Sequence, residues 1–222
     1  MQMSRLGGRA SIVTGAAIAA FSFASASQAG LGLVITEFFA GVPGTDPTAD
    51  WFELTWYGAG VFDTSSIWYE DESGDPTLAA QINGLSGIAS GESVIVVIGN
   101  GTGDVTEFAT FFASNLGPNV QIGFSDGPGL GANDTVNIYS SNMADAMLLA
   151  SQGGTDPDSP ATKVYNPGTG VFGQFAEVGV LGAWGTPFGA LTIVASPGVV
   201  PAPAAAALLG LAGLAASRRR RD

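Results

Sequence analysis

The 222-residue sequence has no cysteine and no histidine. The first absence excludes disulfides and a cysteine nucleophile. The second removes the commonest general base and the commonest zinc ligand. Positive charge is scarce too, with seven basic residues against 19 acidic ones. Arg5, Arg9, Arg218, Arg219, Arg220 and Arg221 account for six of the seven. Between Gly30 and Gly198 a single base, Lys163, faces 18 acids, a net charge of −17. Such a surface repels nucleic acid and anionic lipid, so neither is expected as a partner. It suits cations, basic partners or plain solubility.

Residues 1–29 are organised as a secretory signal. Arg5 and Arg9 precede a small, apolar run over residues 10–23, and small residues follow up to Ala29. This order of charge, apolar run and small-residue site implies Sec-type export machinery as a partner. Cleavage is expected after Ala29, with Ala26 as the other candidate. The apolar run is short against the ~20 residues a membrane span needs, which argues against a permanent anchor.

The far end has its own order. Residues 199–216 carry no charge, with Pro201 and Pro203 near the start and mostly Ala, Leu and Gly after them. Arg218, Arg219, Arg220 and Arg221 follow at once. Clustered arginines stay on the cytoplasmic side of a membrane. A C-terminal transmembrane-type helix, marginal in length, is the expected reading.

The middle is rich in glycine, β-branched residues and aromatics, and most of it lacks helical periodicity. Short alternating runs separated by Gly, Pro, Asn and Asp predict an all-β sandwich or barrel. Strands are expected over residues 31–39, 51–57, 61–62, 67–69, 93–99, 120–124, 135–139, 146–151 and 161–165. In the first, Leu31, Leu33 and Ile35 fall on one face and Val34 and Phe38 on the other. In the second, Phe52, Leu54 and Trp56 share a face. The unbroken run of Val94, Ile95, Val96, Val97 and Ile98 predicts a strand covered on both sides. Residues 105–116 have rough helical spacing. Residues 172–194 show little pattern, and Ser196-Pro197-Gly198 reads as a flexible junction. The expected organisation is a signal over 1–29, one β domain over 30–195 and a sorting or anchor segment over 196–222.

Several constellations could carry chemistry. Glu37 and Glu53 lie inside otherwise apolar strands. If those strands pair, the carboxylates come close and one is pushed up in pKa, as in an acid/base pair acting on a glycoside. The alternative is that each accepts backbone N–H groups at a strand end. Asp71, Glu72 and Asp75 of the acidic turn at residues 70–75 are candidate Ca²⁺ ligands, although the spacing makes no complete EF-hand. A solvated acidic turn is the other reading, and no other cofactor is indicated. Trp51, Tyr57, Trp68 and Tyr69 could form a sugar-stacking platform or serve as core. Asn100-Gly101-Thr102 and Asn133-Asp134-Thr135 match the glycosylation sequon and also read as turns. Gly127, Gly129 and Gly131 lack the following helix and the nearby bases of a nucleotide loop.

Two resemblances follow from these residues. Val200-Pro201-Ala202-Pro203, the apolar run and the four arginines together resemble a PEP-CTERM sorting signal, with Ala202 where the namesake Glu stands. The resemblance implies processing by an exosortase-like membrane protease, in bacteria that make extracellular polysaccharide. It also implies at least transient membrane attachment through the C-terminus on the way to the cell envelope, cell surface or exterior. The middle resembles a lamin-tail domain, an immunoglobulin-like β-sandwich. Leu33-Val34-Ile35-Thr36-Glu37 is similar to its opening strand and Asp50-Trp51-Phe52-Glu53-Leu54 to its second, with Trp56 in place of the usual Asn. Gly129-Leu130-Gly131-Ala132-Asn133-Asp134-Thr135-Val136 is similar to its later Gly-rich turn and strand. That resemblance implies a binding or structural module and brings no catalytic residues. The function expected is therefore a non-enzymatic exported surface or matrix protein. A secreted carboxylate-dependent carbohydrate-active enzyme and a Ca²⁺-dependent adhesion module are the alternatives.

Overall fold

The computed structural model describes residues 32–42, 46–99 and 101–199. Ala29, Val200, Pro201, Ala202, Pro203 and the four C-terminal arginines lie outside the described residues, as does Asn100 of the first sequon. Among the described residues no helix is long and apolar enough to cross a membrane.

The chain is mostly β. Strands β1 (Leu33–Phe39), β2 (Trp51–Trp56), β3 (Val61–Phe62), β4 (Trp68–Glu70), β5 (Ala80–Asn83), β6 (Ile88–Ala89) and β7 (Ser93–Ile98) come first. Helix α1 (Thr102–Phe111) follows. The remainder is β8 (Ile122–Ser125), β9 (Thr135–Tyr139), β10 (Leu148–Gly153), β11 (Lys163–Asn166), β12 (Val171–Phe175), β13 (Trp184–Phe188) and β14 (Leu191–Ala195). Ten strands form one sheet in the order β10-β9-β4-β5-β8-β7-β2-β1-β11-β12. Two two-stranded pairs, the hairpin β13–β14 and the non-consecutive β3–β6, stand apart from it.

The sheet folds over on itself. β10, β9 and β4 return across β7, β2 and β1, and β10 comes close to β1. The first core fills this fold. Leu33, Ile35, Phe38, Phe52, Leu54, Val94 and Val96 meet Tyr69, Ile82, Val136 and Ile138 there. The opposite face of β1, β2 and β7 has a second core, in which Phe39, Trp51, Ile95 and Val97 lie under Phe108 of α1, its C-cap Phe112, and Ile193 and Ala195 of β14. The architecture is thus a sandwich or barrel-like sheet with an added outer layer.

Covering on both faces explains the sequence of β7. Val94, Val96 and Ile98 point to the first core, Ile95 and Val97 to the second. All six residues of the strand are buried. β7 and β8 are parallel, so the chain needs a crossover between them, and α1 supplies it. The helix begins and ends earlier than its apolar spacing indicates, running from the N-cap Gly101, at φ 87° and without a side-chain cap, to the C-cap Phe112.

Two sequence expectations are corrected. Residues 172–194, weakly patterned, form β12, β13 and most of β14. Their alternation is blurred because β12 is a sheet edge and β13–β14 is exposed on one side. The face assignment in the first strand also changes. A register shift between Ile35 and Glu37 inserts Thr36 as a β-bulge. Past the bulge the pleat is out of phase, so Phe38 joins Leu33 and Ile35 in the first core.

Candidate functional site

The bulge also creates the feature with the most chemical content. Thr36 and Glu37 together face Glu53, the Cα partner of Glu37 in the β1–β2 ladder. Both glutamates are 1% exposed. Two acids are therefore held side by side beneath the outer layer, on the face opposite the first core.

Each carboxylate has its own donors. Glu37 accepts from Thr162 Oγ1, from the Ser196 backbone N–H at 2.8 Å and from Ser196 Oγ at 2.9 Å. Glu53 accepts from Thr36 Oγ1 at 2.5 Å and from the Gly198 N–H at 2.6 Å. A hydroxyl ladder continues away from the pair, with Thr36 Oγ1 2.9 Å from Thr55 Oγ1 and Thr55 Oγ1 2.6 Å from Ser93 Oγ. The pair thus joins β1, β2 and β7 to the entrance of β11 and the exit of β14.

Burial is the main force on both protons. It raises Glu37 from 4.5 to about 7 against the pull of Thr162 and Ser196. It raises Glu53 to about 8, and the charge of Glu37 adds to the rise. Desolvation penalises the ionised form and a like charge penalises it again. Tyr57, beyond the end of β2, is pushed up to about 12 by burial and by Glu53.

Acid/base catalysis needs a substrate within reach of the acid. These carboxylates are sealed from solvent and already serve two backbone amides and the hydroxyls of Thr36, Ser93, Thr162 and Ser196. The arrangement suits fastening distant strands, the strand-end role, rather than attack on a glycoside.

The junction at Ser196-Pro197-Gly198 requires correction too. It is fastened rather than flexible, because Ser196 is buried and both Ser196 and Gly198 donate into the acid pair. Sequence reasoning found the two glutamates and missed their partners Thr36, Thr162, Ser196 and Gly198. A residue separation of 159 between Glu37 and Ser196 leaves no local trace.

The other candidates are scattered. Glu70 is buried at the base of the acidic turn and accepts from the N–H groups of Ser73 at 2.7 Å and Gly74 at 3.0 Å, and from Asn137 Nδ2 at 3.0 Å. Asp75 caps the 3-10 turn Pro76–Leu78 by accepting from the Thr77 N–H at 2.9 Å. Asp71 is raised by burial and by the charges of Glu70 and Asp134, while Glu72 is exposed. Among the described residues no group of three acids is arranged to hold a metal. Asp50 accepts from the Leu130 N–H at 2.7 Å and is raised by burial to about 6. It thereby pins the Gly-rich turn to β2.

The four aromatics do not form a platform. Trp51 is buried in the second core and Tyr69 in the first. Trp51 meets Phe108 and Phe112 edge-on, with ring centroids 5.3 and 5.9 Å apart. Lys163, the one base of the middle, donates to the Gly154 carbonyl and lies 5.3 Å from the centroid of the Phe175 ring. Asn133 of the second sequon is exposed in a left-handed turn at φ 67°.

Fold and site together define an acidic, mostly β protein whose strand ends are tied by buried carboxylates. Compared with known proteins, the chain matches no family model, no curated protein and no solved structure.

Proposed function

We propose that this chain is a non-enzymatic, exported cell-surface or extracellular-matrix protein. In this reading residues 30–195 are an immunoglobulin-like, lamin-tail-like sandwich serving as a binding or structural module. Residues 196–222 are a PEP-CTERM-like segment that carries the module to the envelope through an exosortase-like protease. The module reaches the outside through Sec-type export after cleavage at Ala29, and extracellular polysaccharide is the candidate surrounding.

The observation that carries the non-enzymatic part is the commitment of Glu37 and Glu53 to backbone amides. The two acids best suited to paired acid/base work are sealed inside the fold. Delivery is supported by the sequence, where the 200–203 motif, an apolar run and four arginines occur in order.

The test is the intact mass of the protein in each cell fraction. A mature species starting at Gly30 and found outside the cytoplasm is expected. Replacing Arg218, Arg219, Arg220 and Arg221 with glutamine should change its retention or its C-terminal processing. An unaltered mass and distribution would sink the sorting reading.

A further inference from the structure

After β14 the chain turns over β1 and β2 before reaching Val200. Three hydrogen bonds tie this turn to the acid pair, from Ser196 N–H, Ser196 Oγ and Gly198 N–H. Val199 N–H then closes back on the Ser196 carbonyl at 3.0 Å. The turn is therefore the roof over two carboxylates.

Among the described residues, no cationic group faces the pair. β1 brings Glu37, and β2 brings Glu53 with Tyr57 just beyond it. β7 contributes Ser93, whose side chain hydrogen-bonds Glu53 and also meets Thr55 Oγ1. β11 contributes Tyr165 near Tyr57, and the ammonium of Lys163 is turned to the Gly154 carbonyl. β14 has no titratable side chain. In α1, Asp104 lies against Gly99 and Glu107 is exposed. Two ionised acids directly opposite each other in this setting repel, and hydrogen-bond donors rather than a cation are all that offset burial and repulsion among the described residues.

We propose that Glu37 and Glu53 form a proton-held lock on residues 196–199. With a proton on the pair, the turn is fastened to the sheet. With both acids ionised, the turn lifts and water reaches the carboxylates. The turn gives way before the ladder does for a structural reason. β1 and β2 are central strands with hydrogen-bonded neighbours on both sides, whereas the turn lies beyond the last strand. Local opening proceeds through the segment with the fewest bonds to break. The lock thus sets whether the connector to residues 200–222 is held against the domain or free of it. It does not depend on the function proposed above.

The test is amide hydrogen exchange on the full chain, corrected for intrinsic rates, at pH 6 and pH 9. Protection of Ser196 and Gly198 should fall about tenfold or more relative to Val96 in β7, since one pKa unit is a tenfold change in population. Glu53→Gln, which keeps the shape and removes one charge, should abolish that difference. Unchanged relative protection in the wild type would overturn the proposal, as would an equal loss in the variant. Carboxyl ¹³C titration of the wild type provides a reading that needs no variant. At least one buried glutamate should titrate above pH 6, and titration of both below pH 5 would equally overturn the lock.

Discussion

Glu37 stands opposite Glu53 across the β1–β2 ladder, and each reaches past its own strand to a backbone amide after β14. The β-bulge at Thr36 makes this possible by putting Glu37 on the face that Glu53 already occupies. One irregular residue therefore decides which face carries the acids and what they hold.

Stability should fall as pH rises. Glu37, Glu53 and Asp50 all have folded pKa values raised above their ordinary ones. The folded state then binds more protons than the unfolded state between about pH 4 and pH 8, so unfolding becomes easier across that window. The effect is fully present above the folded values and absent below the ordinary ones. Urea midpoints measured from pH 5 to pH 9 should decline. Glu53→Gln should flatten the decline, which separates the pair from general repulsion among the 18 acids.

Glu37→Ala should destabilise more than Glu37→Gln. Alanine leaves the Ser196 N–H and Ser196 Oγ without their acceptor, while Thr162 Oγ1 keeps only the Val194 carbonyl at 3.3 Å. Stranded buried donors of this kind make a loss of roughly 2–4 kcal/mol the expected result. Glutamine retains one acceptor oxygen and removes the charge, so at pH 8 its loss should be about 1 kcal/mol or less. Chemical denaturation of both variants at pH 8 checks the order.

Gly198→Ala should loosen the same turn by a different route. Gly198 has φ +76°, and an added Cβ would lie 2.5 Å from Val120 Cγ2. Left-handed strain and overpacking together make a loss of roughly 1–3 kcal/mol reasonable. Gly91→Ala is the control, since it has a similar φ of +78° and open space around it. It should cost less, and equal losses would show that φ alone governs.

Trp51→Ala should be among the most damaging single changes. Trp51 is fully buried and connects β2 to Phe108 of α1 and to Phe112 at its C-cap. A cavity of this kind typically costs about 3–5 kcal/mol. Near-UV circular dichroism and thermal melting should both register the loss, and a fall below about 1 kcal/mol would contradict the packing described.

Ca²⁺ should leave the melting temperature nearly unchanged. The turn at residues 70–75 uses Glu70 on the Ser73 and Gly74 amides and Asp75 on Thr77, so these oxygens are already engaged. Calorimetric heat on Ca²⁺ addition, lost in Asp71→Asn, would show instead that the turn rearranges around a cation.

Much of the β framework was legible in local pattern. The continuous β-branched run at β7 predicted burial on both sides, and the alternation of Phe52, Leu54 and Trp56 gave the inner face of β2. Edge elements were harder to read. β12 is mostly exposed and β13 half-buried, so their side chains follow no strict alternation. The pair itself was partly legible, because an acid inside an apolar strand is conspicuous. Its partners were not, since Ser and Gly beside a Pro look the same in a loose linker and in a fastened turn.

The sequence by itself determined three things about this protein. It set the charge distribution, the succession of basic, apolar and small residues along 1–29 and 199–222, and the periodicities that make the middle β. Those are properties of composition and of neighbours within a few residues. Tertiary structure alone decided that Thr36 bulges, that Phe38 changes face, and that Glu37 and Glu53 close on Ser196 and Gly198. The reason is physical. A register shift and a hydrogen bond between residues 159 apart depend on how strands are laid beside one another, and no local preference encodes that.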